Sequence, residues 1–395
     1  MVFHVSIFSQ LIALFDRNTF RRLTEKHNAE RYSKGFSSWD QFVSMMFCQL
    51  AQAKSLREIC GGLASCLGKV RHLGLKKPPK KSTLSYANAN RPWQMYEDLF
   101  YDFLGTCKRA IPFKRKFRFK NKLLSLDSTT ISLCLSLFPW AKFRRTKGAV
   151  KLHLLLDHDG YLPTFAYISN GKKQDVTVAR RIPLASGSIV AMDRGYNDYK
   201  LFGAWTDAGI YFVTRLKENA DYVIEKELPV PKNRNILSDR HIRLNSEKAR
   251  KDCPHVLRIV EVWDEDQQRN IVLLTNHLEF GAITISAVYK ERWQIELFFK
   301  AIKQNLKIKT FVGTSENALY TQIWTALIAM LLIKYLQFKS KLNWSLSNLV
   351  AFLRWNLFIH RDLWKWINSP FEEPAKAPDQ QQYLLPFQNL DSIRK

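Results

Sequence analysis

Acidic residues are scarce in this sequence. Its 395 residues hold 35 Asp and Glu against 61 Lys and Arg, a formal charge of +26. A protein that faces a polyanion such as nucleic acid carries such a surplus, but so do ribosomal, membrane-surface and heparin-binding proteins. It picks a partner class and no reaction. Paired metal-binding cysteines are missing too. Cys48, Cys60, Cys66, Cys107, Cys134 and Cys253 form no C-x-x-C unit and have no zinc-type spacing to histidine, which argues against a structural zinc and for reduced thiols. With 15 Gly and 14 Pro, 46% apolar and 13% aromatic residues, collagen-like and low-complexity chains are excluded and a packed core is expected. Long apolar runs are absent. The longest, 323–333, ends at Lys334 and falls short of the roughly 20 residues a bilayer needs, so it is expected to be a buried core helix. Residues 1–22 show neither a basic leader nor a small-residue cleavage site, so a soluble protein without a signal peptide is expected.

What is present reads as helices, then strands, then helices. Over 8–104 apolar residues recur at three and four, as in Phe8, Leu11, Ile12 and Phe15 or Phe42, Met45, Met46 and Leu50. A basic turn over 75–81 precedes Ser82, the expected cap of a helix through Leu84, Tyr86 and Ala87. Ser82, Thr83, Ser85, Asn88, Asn90 and Arg91 suit a DNA-reading domain or an ordinary solvated face. Residues 108–122 carry eight cations around Phe113, Phe117 and Phe119. Lys114, Arg115, Lys116 and Arg118 are therefore candidate phosphate contacts, with a charged linker as the plainer reading.

Beyond this point the period changes to two. Segments 122–133, 151–160 and 161–171 read as strands, the last pair a hairpin turned at Asp159-Gly160. Asp175 is expected to cap a short helix, 188–198 to be a buried strand ending in a Gly turn, and 199–208 to be helical. Strands dominate 210–280, and helix returns from 283 to about 366. The expected architecture is a mixed α/β protein. It has an all-helical N-terminal domain (1–107), a basic linker (108–122) and a core in two parts (123–209 and 283–370) around a β-rich insertion (210–282), then a mobile polar tail (371–395).

Three acids stand out. Asp127 and Asp193 sit in or at the end of apolar strands, where a carboxylate needs hydrogen bonds, a partner or a metal. Either could be a strand-end acid bonded to backbone. Glu296 shares about 60° of one helix with Tyr289, Arg292 and Lys303, apart from the apolar stripe of Val288, Ile295, Phe298, Ile302 and Leu306. That edge reads as a salt-bridge ladder or as a site. Two Asp and one Glu suffice to hold hard divalent cations for phosphodiester chemistry.

The spacing Y-(2)-R-(3)-E-(6)-K in YKERWQIELFFKAIK (Tyr289, Arg292, Glu296, Lys303) resembles the signature of bacterial DDE transposases of the insertion sequence four family. LDSTTI around Asp127, MDRGYND around Asp193 and FVGTSENALYTQIWTALIAMLL after the signature resemble the same family. The N-terminal segment is similar to one branch of it, so the resemblance covers nearly the whole chain. It implies an RNase H-like fold in which Asp127, Asp193 and Glu296 are catalytic and hold two Mg²⁺ ions, with Mn²⁺ able to substitute. Tyr289, Arg292 and Lys303 would grip phosphates at the transposon end. Implied partners are double-stranded DNA, both inverted repeats and target, and a second copy of the chain, in the bacterial cytoplasm with the nucleoid and away from membranes. Relatives hold a flipped base on an aromatic in the insertion, which makes Trp263 a candidate base contact, with a strand-end core Trp as the alternative. Where relatives often place His before an Asp, this chain has Gln174, which cannot act as a proton carrier, and Asp175 is read as a cap. His153 and His158 are expected to be structural. Two other functions remain: an RNase H-like nuclease without strand transfer, and an inactive transposase-derived DNA-binding protein. The second predicts a broken acid set, whereas all three acids are present.

Overall fold

The computed structural model describes residues 5–66, 69–110, 116–144, 147–232, 235–265 and 267–372. Lys114 and Arg115 lie outside them, as does the expected tail from residue 373 onward. Helices come first: α1 (Ile7–Ile12), α2 (Arg17–Lys26), α3 (Ser38–Leu50), α4 (Leu56–Ala64), α5 (Lys81–Asn90) and α6 (Gln94–Ala110). Their starts follow capping chemistry. Asp16 accepts from the Asn18 and Thr19 N–H groups, Ser37 and Asp40 form a capping box, and Ser55 accepts from Glu58 N–H. The Ser82 expectation fails: α5 opens at Lys81, with Lys80 at the cap position and no side-chain bond. Pro78 and Pro79 hold the chain extended up to that point, so the helix starts directly after them.

Strands and further helices follow as β1 (Leu123–Leu133), β2 (Lys142–Arg144), β3 (Lys147–Asp157), β4 (Leu162–Asn170), α7 (Asp175–Ala179), β5 (Ile189–Met192), α8 (Tyr199–Asp207), β6 (Tyr211–Arg215), β7 (Tyr222–Glu227), β8 (Ile236–Leu244), α9 (Glu247–Asp252), β9 (Leu257–Asp264) and β10 (Arg269–Thr275). The β3–β4 hairpin turns where expected, through Gly160 at φ 123° and Tyr161 at φ 54°. β1 is the axis of the sheet. It pairs antiparallel with β3 and parallel with β5; β4 lies antiparallel on β3, and β6 runs parallel to β5. The order β4-β3-β1-β5-β6, an antiparallel meander extended by two strands parallel to its first, is RNase H-like. From β6 the same sheet continues antiparallel through β10, β9, β8 and β7.

The chain closes with α10 (Ala282–Glu291), α11 (Trp293–Asn305), α12 (Glu316–Lys339), α13 (Leu346–Asn356) and α14 (Leu363–Asn368). Alternate strand residues feed two faces. Leu124, Leu126, Val190, Met192 and Phe212 pack against Phe202 and Trp205 of α8. On the other face, Leu123, Ile189, Ala191 and Val213 meet Ala282, Ile285 and Val288 of α10, while Ile131, Leu133, Val150 and Leu152 join a large core with α11, α12 and the N-terminal helices. The 323–333 run lies in α12, where it is fully buried. By length and composition α12 could cross a bilayer, yet it is enclosed by protein.

Candidate active site

Asp127 falls in β1 on the face shared by Leu123 and Ile131, which looks toward α10 and α11. On β5, Ile189 and Ala191 take the same face and Asp193 continues their alternation. The β1–β5 ladder ends at Leu126↔Met192. Asp127 and Asp193 are thus the next residues on adjacent parallel strands, which stand about 4.8 Å apart. Asp127 accepts a hydrogen bond from Ser128 N–H at 2.7 Å, and Asp193 accepts one from Arg194 N–H at 2.7 Å as it heads the single turn Arg194–Tyr196. Across from Asp127, α11 contributes Glu296, Lys300 and Lys303 to a cleft of about 420 Å³, with Thr129, Gln304 and Lys309 in its walls.

Burial pushes the Asp127 carboxyl up to about 7, and the nearby charges of Glu296 and Asp193 add to the rise; Ser128 N–H and Arg292 oppose it. Glu296 is bound by Arg292 at 2.6 Å. Burial disfavours the Arg292 charge, but Tyr289 and Glu296 outweigh it and hold the guanidinium above its ordinary range. Lys303 donates to Thr129 Oγ1 and, at 3.3 Å, to the Thr130 carbonyl. Burial lowers its pKa, and Lys309 lowers it further. Among the described residues, no group of three His, Cys, Asp or Glu side chains stands ready as a metal cage.

The expected single helix from Tyr289 to Lys303 does not exist. It breaks at Arg292, where i→i+3 bonds from Arg292 N–H to Tyr289 O and from Ile295 N–H to Arg292 O tighten the chain. Arg292, Glu296 and Lys303 stay with α11. Tyr289 ends up on α10 but keeps Arg292 beside it, the guanidinium 5.6 Å from its ring centre; burial raises its phenol pKa, Arg292 opposes the rise and Asp193 adds to it.

Other expected residues fall elsewhere. Lys116 is ion-paired with Glu291, a buried acid that also accepts from Tyr161 at 3.3 Å. Arg118 and Lys120 are exposed, while Phe117 stacks on Phe119, which in turn stacks on Phe280. Trp263 is half-buried at the end of β9, opposite Asn270. The reading of Asp175 as a cap is wrong. Gln174 holds the cap position, and the Asp175 carboxylate instead takes Lys151 Nζ at 3.1 Å and Ser128 Oγ at 2.8 Å. His153 bonds Ser169 at 2.8 Å, and His158 bonds Ser125 at 2.7 Å. Burial lowers both imidazoles, His158 to about 4. Lys300 and Lys309 were missed as cleft residues. Lys300 lies one turn after Glu296, a spacing that could have marked it.

Residues 118–332 match the family described as a transposase DDE domain, and residues 4–76 match a domain of unknown function, DUF4372. The first match takes in more than half of the chain and all three acids. The chain belongs to the DDE transposase family. Relatives of this transposase include y4zB, a transposase by name, from Sinorhizobium fredii, 34% identical over 65% of this chain and 71% of that one. The probable transposase for insertion sequence element IS5377 from Geobacillus stearothermophilus is 29% identical over 69% and 72%. The transposase InsG for insertion sequence element IS4 from Escherichia coli is 24% identical over 48% and 44%. A solved piggyBac transposase synaptic complex with hairpin DNA aligns with 89% of this chain and 78% of its own at 11% identity and a TM-score of 0.43, too slight a likeness to bear on the site. As a member of its family the transposase is a DNA-acting enzyme, and the family generally uses divalent metal ions.

Proposed function

We propose that this transposase binds the inverted-repeat ends of an insertion sequence, nicks them and joins the freed 3′-hydroxyls to target DNA, with Asp127, Asp193 and Glu296 as its catalytic acids. The observation that supports this most is the placement of Asp127 and Asp193 side by side on one face of parallel strands, with Glu296 of α11 lining the same cleft as Asp127. The donor set fits a hard divalent cation. All three groups offer carboxylate oxygens, and the mutual repulsion that helps raise Asp127 is what a dication offsets. Mg²⁺ is the natural ion and Mn²⁺ a substitute; a pair of them supplies activation of the attacking oxygen and stabilisation of the leaving one.

The chain's own residues do the rest. Arg292 holds Glu296 until a phosphate takes its guanidinium fork, which then leaves the carboxylate free. Lys303, anchored on Thr129, places a point charge at the cleft wall. Tyr289 donates one hydrogen bond, and exposed Arg118 adds a phosphate contact along the DNA. Trp263, half-exposed at its hairpin, is the base-contacting aromatic. Two ends brought together require two copies, so a homodimer forms on DNA, in the cytoplasm with the nucleoid.

The test uses duplexes taken from the DNA flanking the coding sequence. With Mg²⁺ the purified protein nicks them at the repeat terminus and joins them to a plasmid. Asp127→Asn, Asp193→Asn and Glu296→Gln each lose both steps while keeping DNA binding. Nicking without joining supports the nuclease reading, and cleavage that survives any of the three substitutions overturns the acid assignment.

A further inference from the structure

The side of the sheet turned away from the cleft carries a polar cluster directly behind Asp127. Successive strand residues alternate, so Ser128 of β1 faces away from Asp127, toward the side where Leu126, Met192, Ala179 of α7 and Tyr196 share one core. On neighbouring β3, His153 stands opposite Ser128 and Lys151 opposite Thr130. These residues converge on one carboxylate. Asp175, the first residue of α7, accepts from Ser128 Oγ at 2.8 Å and from Lys151 Nζ at 3.1 and 3.2 Å, and His153 Nδ1 lies 3.5 Å from it. Lys151 also donates to the Lys173 carbonyl at 3.2 Å, and fully buried His153 bonds Ser169 at 2.8 Å. Connected polar networks of this kind specify one geometry.

Ser128 joins the cluster to the cleft. The β1–β5 ladder stops at Leu126↔Met192, and just beyond it the Ser128 N–H is taken by Asp127 Oδ1 at 2.7 Å. One residue thus holds both acids: its main chain orients Asp127 on the cleft side, and its hydroxyl is fixed by Asp175 on the other. Asp193 is tied to the same place. It heads the turn that ends in Tyr196, whose phenol is buried; burial and the charges of Asp127, Asp175 and Asp193 hold it well above its ordinary value, and Ser128 opposes the rise. Mg²⁺ demands near-octahedral oxygens at about 2.0–2.1 Å, so a carboxylate left free to turn binds it poorly. Groups that orient metal ligands from behind are worth about 10–100-fold in metal affinity.

We propose that Asp175 is a positioning residue for the catalytic acids. From the far side of the sheet it holds Ser128, and through Ser128 it fixes the Asp127 carboxylate for the divalent ion. The inference rests on the assignment of Asp127, Asp193 and Glu296 proposed above.

The full chain is titrated with Mn²⁺ in two assays: nicking of the flanking duplex, and thermal stabilisation of the DNA-free protein by differential scanning fluorimetry. Asp175→Ala removes both the Ser128 bond and the Lys151 pair, whereas Asp175→Asn removes the pair but keeps an oxygen for Ser128. Both variants should melt below the parent in EDTA. Only Asp175→Ala should raise the Mn²⁺ midpoint, by about 10–100-fold in both assays, with nicking restored as Mn²⁺ saturates. Ser128→Ala should raise it likewise, and the double variant Ser128→Ala with Asp175→Ala no further, because the same bond is lost once. Equal shifts in Asp175→Ala and Asp175→Asn, shifts that multiply in the double variant, or a lowered plateau at an unmoved midpoint make Asp175 a structural acid and overturn the proposal. Should Asp175→Ala not fold, Ser128→Ala decides: a raised midpoint upholds the proposal and an unmoved one overturns it. If the parent is stabilised by Mn²⁺ and nicks while no midpoint moves, only this inference fails. If the parent shows neither response, the proposed function fails and takes this inference with it.

Discussion

Replacing Asp127 by Asn in the metal-free protein should stabilise it, and the size of the effect follows from its surroundings. In the folded chain the Asp127 carboxyl keeps its proton up to about 7, whereas its ordinary value is 3.8. The folded state therefore binds more protons than the unfolded state between those two values. Stability falls as pH rises through this window, by up to about 4 kcal/mol once the shift is converted at about 1.36 kcal/mol per unit. Asn keeps the volume and removes the charge. In EDTA at pH 8 the Asp127→Asn protein should be more stable than its parent by on the order of 2–4 kcal/mol, and near pH 4 the two should match. For a chain of this length that is roughly 2–5 °C in Tm, at about 1 °C per kcal/mol. Mg²⁺ should narrow or cancel that difference, because an ion bound only by the folded carboxylates stabilises the parent by about 2.7 kcal/mol at a hundredfold excess over Kd. Differential scanning fluorimetry at both pH values, with EDTA and with Mg²⁺, reads all four conditions. A variant that gains nothing at pH 8, or that responds to Mg²⁺ as its parent does, refutes the placement of Asp127 among repelling carboxylates that take a cation.

Asp193→Cys should lose end cleavage in Mg²⁺ and regain part of it in Mn²⁺, since a thiolate is too soft for Mg²⁺; a backbone-bonded structural acid gives no metal-selective rescue. Arg292→Ala and Lys303→Ala should lose cleavage with an unchanged circular dichroism spectrum, and near-normal cleavage in both would leave only a surface ladder worth about 0.3–0.5 kcal/mol per pair. Lys116→Gln should lower thermal stability because it strips the partner from buried Glu291, while Arg118→Gln should lower DNA affinity and leave stability alone; equal behaviour of the two would contradict their placement. Asp239→Ala should destabilise the β-rich segment by about 3–5 kcal/mol, because it leaves Arg258 buried and unpaired, as hydrogen exchange of β8 and β9 would report.

The alternation of Leu123 to Leu133 and the apolar run before Asp193 made the two central strands legible, because a two-residue period survives in any short window. Their pairing was not legible, and only the parallel register Leu126↔Met192 shows that the two aspartates are neighbours. The break at Arg292 left no local mark, neither Gly nor Pro. Glu291, just before it, is buried by Tyr161 and Lys116, which lie 130 and 175 residues away along the chain. Asp175 misled for the same reason. A capping rule sees the residues beside it, while Lys151 and Ser128 reach it from strands 24 and 47 residues earlier. Ser82 failed more locally, since two prolines already supplied the extended entry that a cap normally provides.

The central position of α12 sets a timetable for folding. Trp93 just before α6, Phe100 within it and Gln49 of α3 pack or bond against residues of α12, and the shared core runs from Ile7 to Ile367. On a ribosome adding about 5–20 residues per second, the first helices wait roughly 15–60 seconds before Glu316 is made. Their apolar faces cannot close on the spine until then. Glu296 also emerges late, only about twenty residues before that spine begins. A nascent chain holds its exposed N-terminal lysines long before it can hold all three of Asp127, Asp193 and Glu296, and a chain stopped short of α12 carries an open apolar face.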